Sequence, residues 1–257
     1  ASGQGFDLRA VEGAIGGDRM SVLTREMLLE FSGEEKLENV CMLVLRGMGL
    51  TDAASLTLAS NLTSVSLSHN SLTSLPLPPS SLPSLTELNV NYNKLSSLSF
   101  LAACPALQRL YSAQNALTSL QPLKECAGLQ AVCVSGNLLD DLGGTTEALK
   151  HLTALEELEL DGNPYSSHPS YRALCVGALQ GLRMLDGEAV QPGERDKAKQ
   201  VAKYEERMGD QGSFYTHSDI QVPVGESAPR PLRRPTTSHA HTAAYHARPP
   251  PPPGGGG

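Results

Sequence analysis

Few residues of this 257-residue chain are spaced for chemistry. Cys133 has no His or Asp partner placed by sequence, so its thiol reads as an inert small side chain rather than a nucleophile. His239 and His241 form an H-x-H with no further ligands, which is thin for a metal site. Glu156 and Glu157 occupy successive strand positions and point to opposite sides, which makes them poor candidates for an acid–base pair. There is no Walker loop, GxGxxG, HExxH or GxSxG. The expectation is therefore no catalytic, cofactor or metal site, and no enzyme. What remains is chemistry of recognition. Tyr92 and Tyr111 lie near Arg46, His69, Glu87, Asn89, Asn91 and Arg109, and Tyr and Arg are enriched in binding hot spots. Glu157, Glu159 and Asp161 form an acidic end, which favours a basic partner segment and speeds its association.

A repeat must position these residues. The template Lxx-L-x-L-xx-N-x-L recurs, as in Leu62, Val65, Leu67, Asn70 and Leu72, then Leu85, Leu88, Val90, Asn93 and Leu95. The Asn register falls at 70, 93, 115, 137 and 163, and a degenerate first copy has Met48 in that place. The steps are 22, 23, 22, 22 and 26 residues. The L-x-L pair alternates with period two, so each copy contributes a short strand with one face inward. The chain returns on the outside through Leu75 and Leu77, Leu98 and Leu101, Leu120 and Leu123, and Leu149 and Leu152. The short period leaves room there for a 3₁₀ turn or one helical turn. The longer fifth copy has space for a short helix capped by Thr145. One coil cannot bury its aliphatics alone, whereas stacked coils share a continuous core. The Asn amides are assigned to backbone groups where the chain leaves each strand, hence to folding.

The fold class expected is α/β: a leucine-rich-repeat solenoid, or horseshoe, with short parallel strands on the concave face and 3₁₀ or short helices on the convex face. Residues between the core aliphatics face the concave side: Val44, Ser66, Asn89, Tyr111, Cys133 and Glu159. The preceding column holds Met42, Ser64, Glu87, Arg109, Ala131 and Glu157, and a later one holds Gly47, His69, Tyr92, Gln114, Gly136 and Gly162.

The chain reads as six segments. Residues 1–20 are expected to be a flexible N-terminus and 21–39 a cap. In the cap, residues 21–31 form an amphipathic helix bearing Val22, Leu23, Met27, Leu28 and Phe31, and Ser32 with Glu35 stands at capping-box spacing. Residues 40–165 carry six repeats, and 166–190 a closing cap with Pro169 opening a helix and a last strand over 182–185. Residues 191–210 hold a charged helix that lies on the cap or reaches a partner. Residues 211–257, rich in Pro and Gly and ending in five prolines and four glycines, read as disordered. Arg233-Arg234-Pro235-Thr236 in that tail resembles a basophilic-kinase substrate.

Composition narrows the partners. The net charge of −7 divides into −9 up to residue 210 and +2 beyond it. An acidic body argues against direct nucleic-acid contact, which needs clustered Lys and Arg. No apolar run approaches the ~18–20 residues of a membrane span, and the first eighteen residues do not read as a signal peptide. Five cysteines without CxxC spacing fit a reducing compartment.

Residues 37–190 resemble the cytosolic class of leucine-rich repeats typified by the phosphatase-one regulator. Asn163-Pro164, Tyr171-Arg172 and Leu185-Asp186-Gly187 are similar to that class's closing cap. The class includes an axonemal dynein light chain and a small nuclear ribonucleoprotein subunit. The resemblance implies fold and protein binding, not one partner. It points to a cytoplasmic subunit or adaptor of a larger assembly, with the cilium or axoneme as one setting, binding protein and no small-molecule substrate. Phosphatase regulation and a ribonucleoprotein scaffold are the alternatives.

Overall fold

The computed structural model describes residues 22–209, with side chains up to 201. The expected N-terminus and tail lie outside the described residues, as do His239, His241 and Thr236. The chain divides into two units, Ala1–Arg207 and Met208–Gly257, and the repeats lie in the first.

Each L-x-L pair forms a three-residue strand where the alternation places it. These are β1 (Met42–Val44), β2 (Ser64–Ser66), β3 (Glu87–Asn89), β4 (Arg109–Tyr111), β5 (Ala131–Cys133) and β6 (Glu157–Glu159). β7 (Met184–Leu185) and β8 (Glu188–Ala189) complete an eight-stranded sheet in chain order. Pairing is parallel and in register from β1 to β7, so Leu43, Val65, Leu88, Leu110, Val132, Leu158 and Leu185 stack in one buried column. Burying each such side chain is worth roughly 1.5–3 kcal/mol, which one coil alone does not obtain.

The outer segments vary with their residues. Short 3₁₀ turns span Ala54–Leu58, Ser99–Ala103 and Gln121–Glu125. Residues 73–84 form none, because Pro76, Pro78 and Pro79 remove the N–H groups such a turn needs. The long fifth coil does form a helix, α2 (Leu142–Leu149). Its cap is Asp141, whose Oδ1 accepts from Gly144 N at 2.8 Å; the expected cap, Thr145, is buried inside.

The asparagines stitch the coils together. Asn70 Oδ1 accepts from Leu50 N at 3.0 Å, and its Nδ2 donates to Leu45 O at 2.7 Å and Leu67 O at 2.8 Å. Asn93, Asn115, Asn137 and Asn163 repeat the pattern, each accepting from the coil before it. Before the first strand stands a cap rather than a coil, so Met48 takes the position and packs on the core.

Both ends differ in detail from expectation. At the N-terminus α1 (Arg25–Ser32) starts at Arg25, not Ser21, because Thr24 Oγ1 accepts from Met27 N. Val22 is exposed and bridges to Asp52 instead of joining the helix stripe. Gly33, at φ 72°, ends α1. That leaves Ser32 as its last residue, so the expected capping box with Glu35 does not form. At the other end Pro164, not Pro169, opens a 3₁₀ turn (Pro164–Ser167). The helix α3 (Tyr171–Ala178) begins two residues after Pro169. The last parallel strand is only Met184–Leu185, since Asp186 (φ 52°) and Gly187 (φ 75°) turn the chain into antiparallel β8. An Asp-Gly pair is a hairpin signal that sequence reading passed over.

Asp186 closes the ladder. Its Oδ1 accepts from Leu160 N at 2.7 Å and Asp161 N at 3.1 Å, and its Oδ2 from the Tyr171 hydroxyl at 2.7 Å. The carboxylate thus replaces the carbonyl that a further strand would offer. Burial raises its pKa, and Asp161 adds to the rise. Helix α4 (Glu194–Gly209) then seals the end with its first turns. Arg195 donates to the carbonyls of Val176, Leu179 and Leu182, Arg172 pairs with Glu194, and Ala198 is fully buried. Of the two roles open to this helix, its start takes the first.

Candidate protein-binding face

The strand residues that point away from the core form one continuous surface. Cross-strand register sets its neighbours: Glu87 beside Arg109, Asn89 beside Tyr111, Cys133 beside Glu159. Glu87 and Arg109 form an ion pair at 3.7 Å. Asn89 Oδ1 accepts from Asn91 N at 3.0 Å, and Asn91 Oδ1 from Ala113 N at 2.7 Å.

A second row runs along the edge where the chain leaves each strand. Gly47, His69, Tyr92, Gln114, Gly136 and Gly162 all have φ between 55° and 69°. This left-handed turn recurs in every coil, taken by glycine in some and by a full side chain in others. The conformation swings the His69 and Tyr92 rings into a parallel stack, centroids 4.3 Å apart and planes 12° apart. Arg46 Nη2 reaches His69 Nε2 at 3.1 Å. Slight burial and the Arg46 charge lower the His69 pKa, so the ring stays neutral and accepts that bond. Tyr92 thus sits on the rim with His69, while Tyr111 stays on the strand face.

Two consecutive coils, residues 60–103, match the family model described as Leucine Rich repeats (2 copies). With in-register strands and an Asn ladder running beyond that match in both directions, the architecture is decided. The chain is a leucine-rich-repeat solenoid. Its sequence is 45% identical over 56 residues to the U2 small nuclear ribonucleoprotein A′ of Yarrowia lipolytica, covering 22% of this chain and 24% of that protein. It is 32% identical over 114 residues to dynein axonemal assembly factor 11 of Danio rerio, covering 39% and 26%. The chain thus spans about a quarter of the length of these relatives. Among solved structures, the Drosophila melanogaster SNF/U2A′ complex aligns at TM-score 0.49 and 24% identity, over 75% of this chain and 99% of that one.

The solenoid's last coils carry the acidic end. Glu157 and Asp161 are exposed and Glu159 is half-buried. Cys133 Sγ donates to Glu159 Oε2 at 3.0 Å. Burial, then the Glu159 charge, pushes the thiol up to about 12, so it stays protonated and is no nucleophile at neutral pH. Cys104 and Cys126 are buried free thiols.

Sequence reading named polar and aromatic residues and passed over the apolar start of the face. Met42 is 55% exposed and Val44 48%. Both stood in the outward columns; the missing signal was exposure, since β1 has no earlier strand to shade its side chains. Among the described residues, no group of three or more His, Cys, Asp or Glu is placed to hold a metal, and no helix is long and apolar enough to cross a membrane.

Proposed function

We propose that the solenoid is a non-catalytic protein-binding module, a subunit or adaptor of a larger assembly, which docks its partner on the strand face. One observation carries this reading: the face and its rim hold side chains preset by one another, with Arg46, His69 and Tyr92 in contact along an exposed rim that the core does not need. Preset rings and guanidinium groups lose little entropy on binding, which favours their use as anchors. Arg46, His69, Glu87, Asn89, Asn91, Tyr92, Arg109 and Tyr111 form the central contact. Glu157, Glu159 and Asp161 receive a basic part of the partner.

The axonemal setting, with assembly in the cytoplasm, is favoured by the likeness to proteins named dynein axonemal assembly factor 11. A second reading, a ribonucleoprotein component that holds another protein, draws on the likeness to U2 A′. Residues 43–50, 88–93 and 182–188 also resemble the vertebrate leucine-rich-repeat-containing protein sixty-one. Affinity purification of the full chain beside its Tyr111→Ala and Glu159→Lys variants tests the module. Both variants are expected to lose the same partner, and retention by both removes the strand face from the proposal. Imaging of the tagged chain in ciliated cells separates the settings: signal at the cilium or in the cytoplasm fits the first, nuclear signal the second.

A further inference from the structure

The strand face changes character from β1 to β6, before β7 adds Met184, 39% exposed, beside Glu157. At β1 it presents Met42 and Val44, the two most exposed large apolar side chains of the sheet. At β6 it presents Glu157 and Glu159, with Asp161 just beyond. Five strand spacings of ~4.8 Å separate these ends, about 24 Å. Between them the face offers little to an incoming backbone. Every strand from β2 to β6 is paired on both edges. The side-chain acceptors at its centre are engaged: Glu87 with Arg109, Asn89 Oδ1 with Asn91 N, Asn91 Oδ1 with Ala113 N. An extended segment laid across the strands would therefore leave its own N–H groups short of acceptors, whereas a helix satisfies its backbone internally.

Resting on the strand-face reading above, we infer that the occupant is a single amphipathic helix of a partner protein, about 16 residues long at 1.5 Å per residue, with an apolar anchor on Met42 and Val44 at one end and Lys or Arg against Glu157 and Glu159 at the other. Apolar burial supplies affinity at β1. Charge complementarity at β6 fixes the direction in which the helix lies and rejects acidic helices.

The test is selection from a displayed library of random 16-residue peptides on the full-length chain, with affinities of the enriched peptides read by fluorescence anisotropy. Enriched peptides are expected to be helix-forming and free of central proline, with apolar residues in one terminal turn and Lys or Arg in the other. Val44→Asp and Glu157→Lys should each weaken them about tenfold or more, and a Lys-to-Glu peptide should recover binding on Glu157→Lys. Both positions are exposed, so unchanged melting curves separate lost binding from lost fold. Peptides weakened by Tyr111→Ala but rich in proline, or with charge and apolar residues interspersed, overturn the helix while leaving the face intact. Peptides indifferent to Tyr111→Ala, Val44→Asp and Glu157→Lys alike overturn both.

Discussion

Two columns of this molecule repeat in every coil with the same backbone and opposite freedom of sequence. The ladder of Asn70, Asn93, Asn115, Asn137 and Asn163, buried except for half-buried Asn115, keeps one residue type in every coil after the first. The left-handed column a residue away, from Gly47 to Gly162, keeps one φ and changes its side chain from Gly to His, Tyr and Gln. In the first column the side chain itself stands in for missing backbone partners, so only an amide with both a donor and an acceptor serves. In the second the fold demands a conformation and leaves the side chain open, at the cost of some strain when it is not glycine. Invariant chemistry therefore marks what holds the solenoid together, and variable chemistry on a fixed backbone marks what it can present.

The largest expected effect comes from breaking the ladder. Asn93→Ala strips Leu72 N–H of its acceptor and takes one of two asparagine donors from each of the Leu67 and Val90 carbonyls, which keep Asn70 and Asn115. It should cost ~3 kcal/mol in urea unfolding. At the end of the stack, Asp186→Ala strips acceptors from Leu160 N, Asp161 N and the Tyr171 hydroxyl. It should cost ~2 kcal/mol, and fraying of β7 in hydrogen exchange would place the loss at the cap. An unchanged midpoint for either variant would equate the two columns.

The glycines sharpen the contrast at smaller scale. A Cβ on Gly162 would meet Gly136 backbone at 3.3 Å, while one on Gly47 meets nothing within 4 Å. Gly162→Ala should therefore cost more than Gly47→Ala, which carries only the left-handed penalty of about 1 kcal/mol. Paired thermal melts check the order.

Much of this was legible in the sequence, and the reasons are physical. Period-two aliphatics and a 22-residue step set the strand register, because a slip by one residue would turn Leu88 or Val132 out to water. The Asn role came from the backbone groups a turn leaves unpaired. Less legible were the places where short-range competitors won. Asp141 displaced Thr145 as a cap, Gly33 ended α1 at Ser32, whose hydroxyl accepts from Glu34 N instead of forming a capping box, and prolines emptied the outer segment of residues 73–84. On the face, residue types announced recognition, but the His69–Tyr92 stack needed the left-handed turn, which no spacing rule conveys for His or Tyr. The apolar start at Met42 and Val44 depends on strand order, not on residue type.

The smallest effects concern single groups. The lowered pKa of His69 means that the unfolded chain binds its proton more readily than the folded one. Its contribution to stability is therefore complete above the ordinary imidazole range and falls as pH drops through the lowered folded value. NMR titration of the ring should show a midpoint below that of a free histidine; a midpoint above it would contradict the Arg46 contact. Cys133, pushed up to about 12, should resist iodoacetamide at neutral pH while exposed Cys41 is alkylated, as read by peptide mass spectrometry.

The division between a column that folds and a face proposed to bind is tested most directly on one variant, Tyr111→Ala, measured for partner capture and melting temperature in the same preparation. Capture should fall at least about tenfold while the melting temperature stays within ~2 °C. Undiminished capture, or capture and melting temperature falling together, would contradict it.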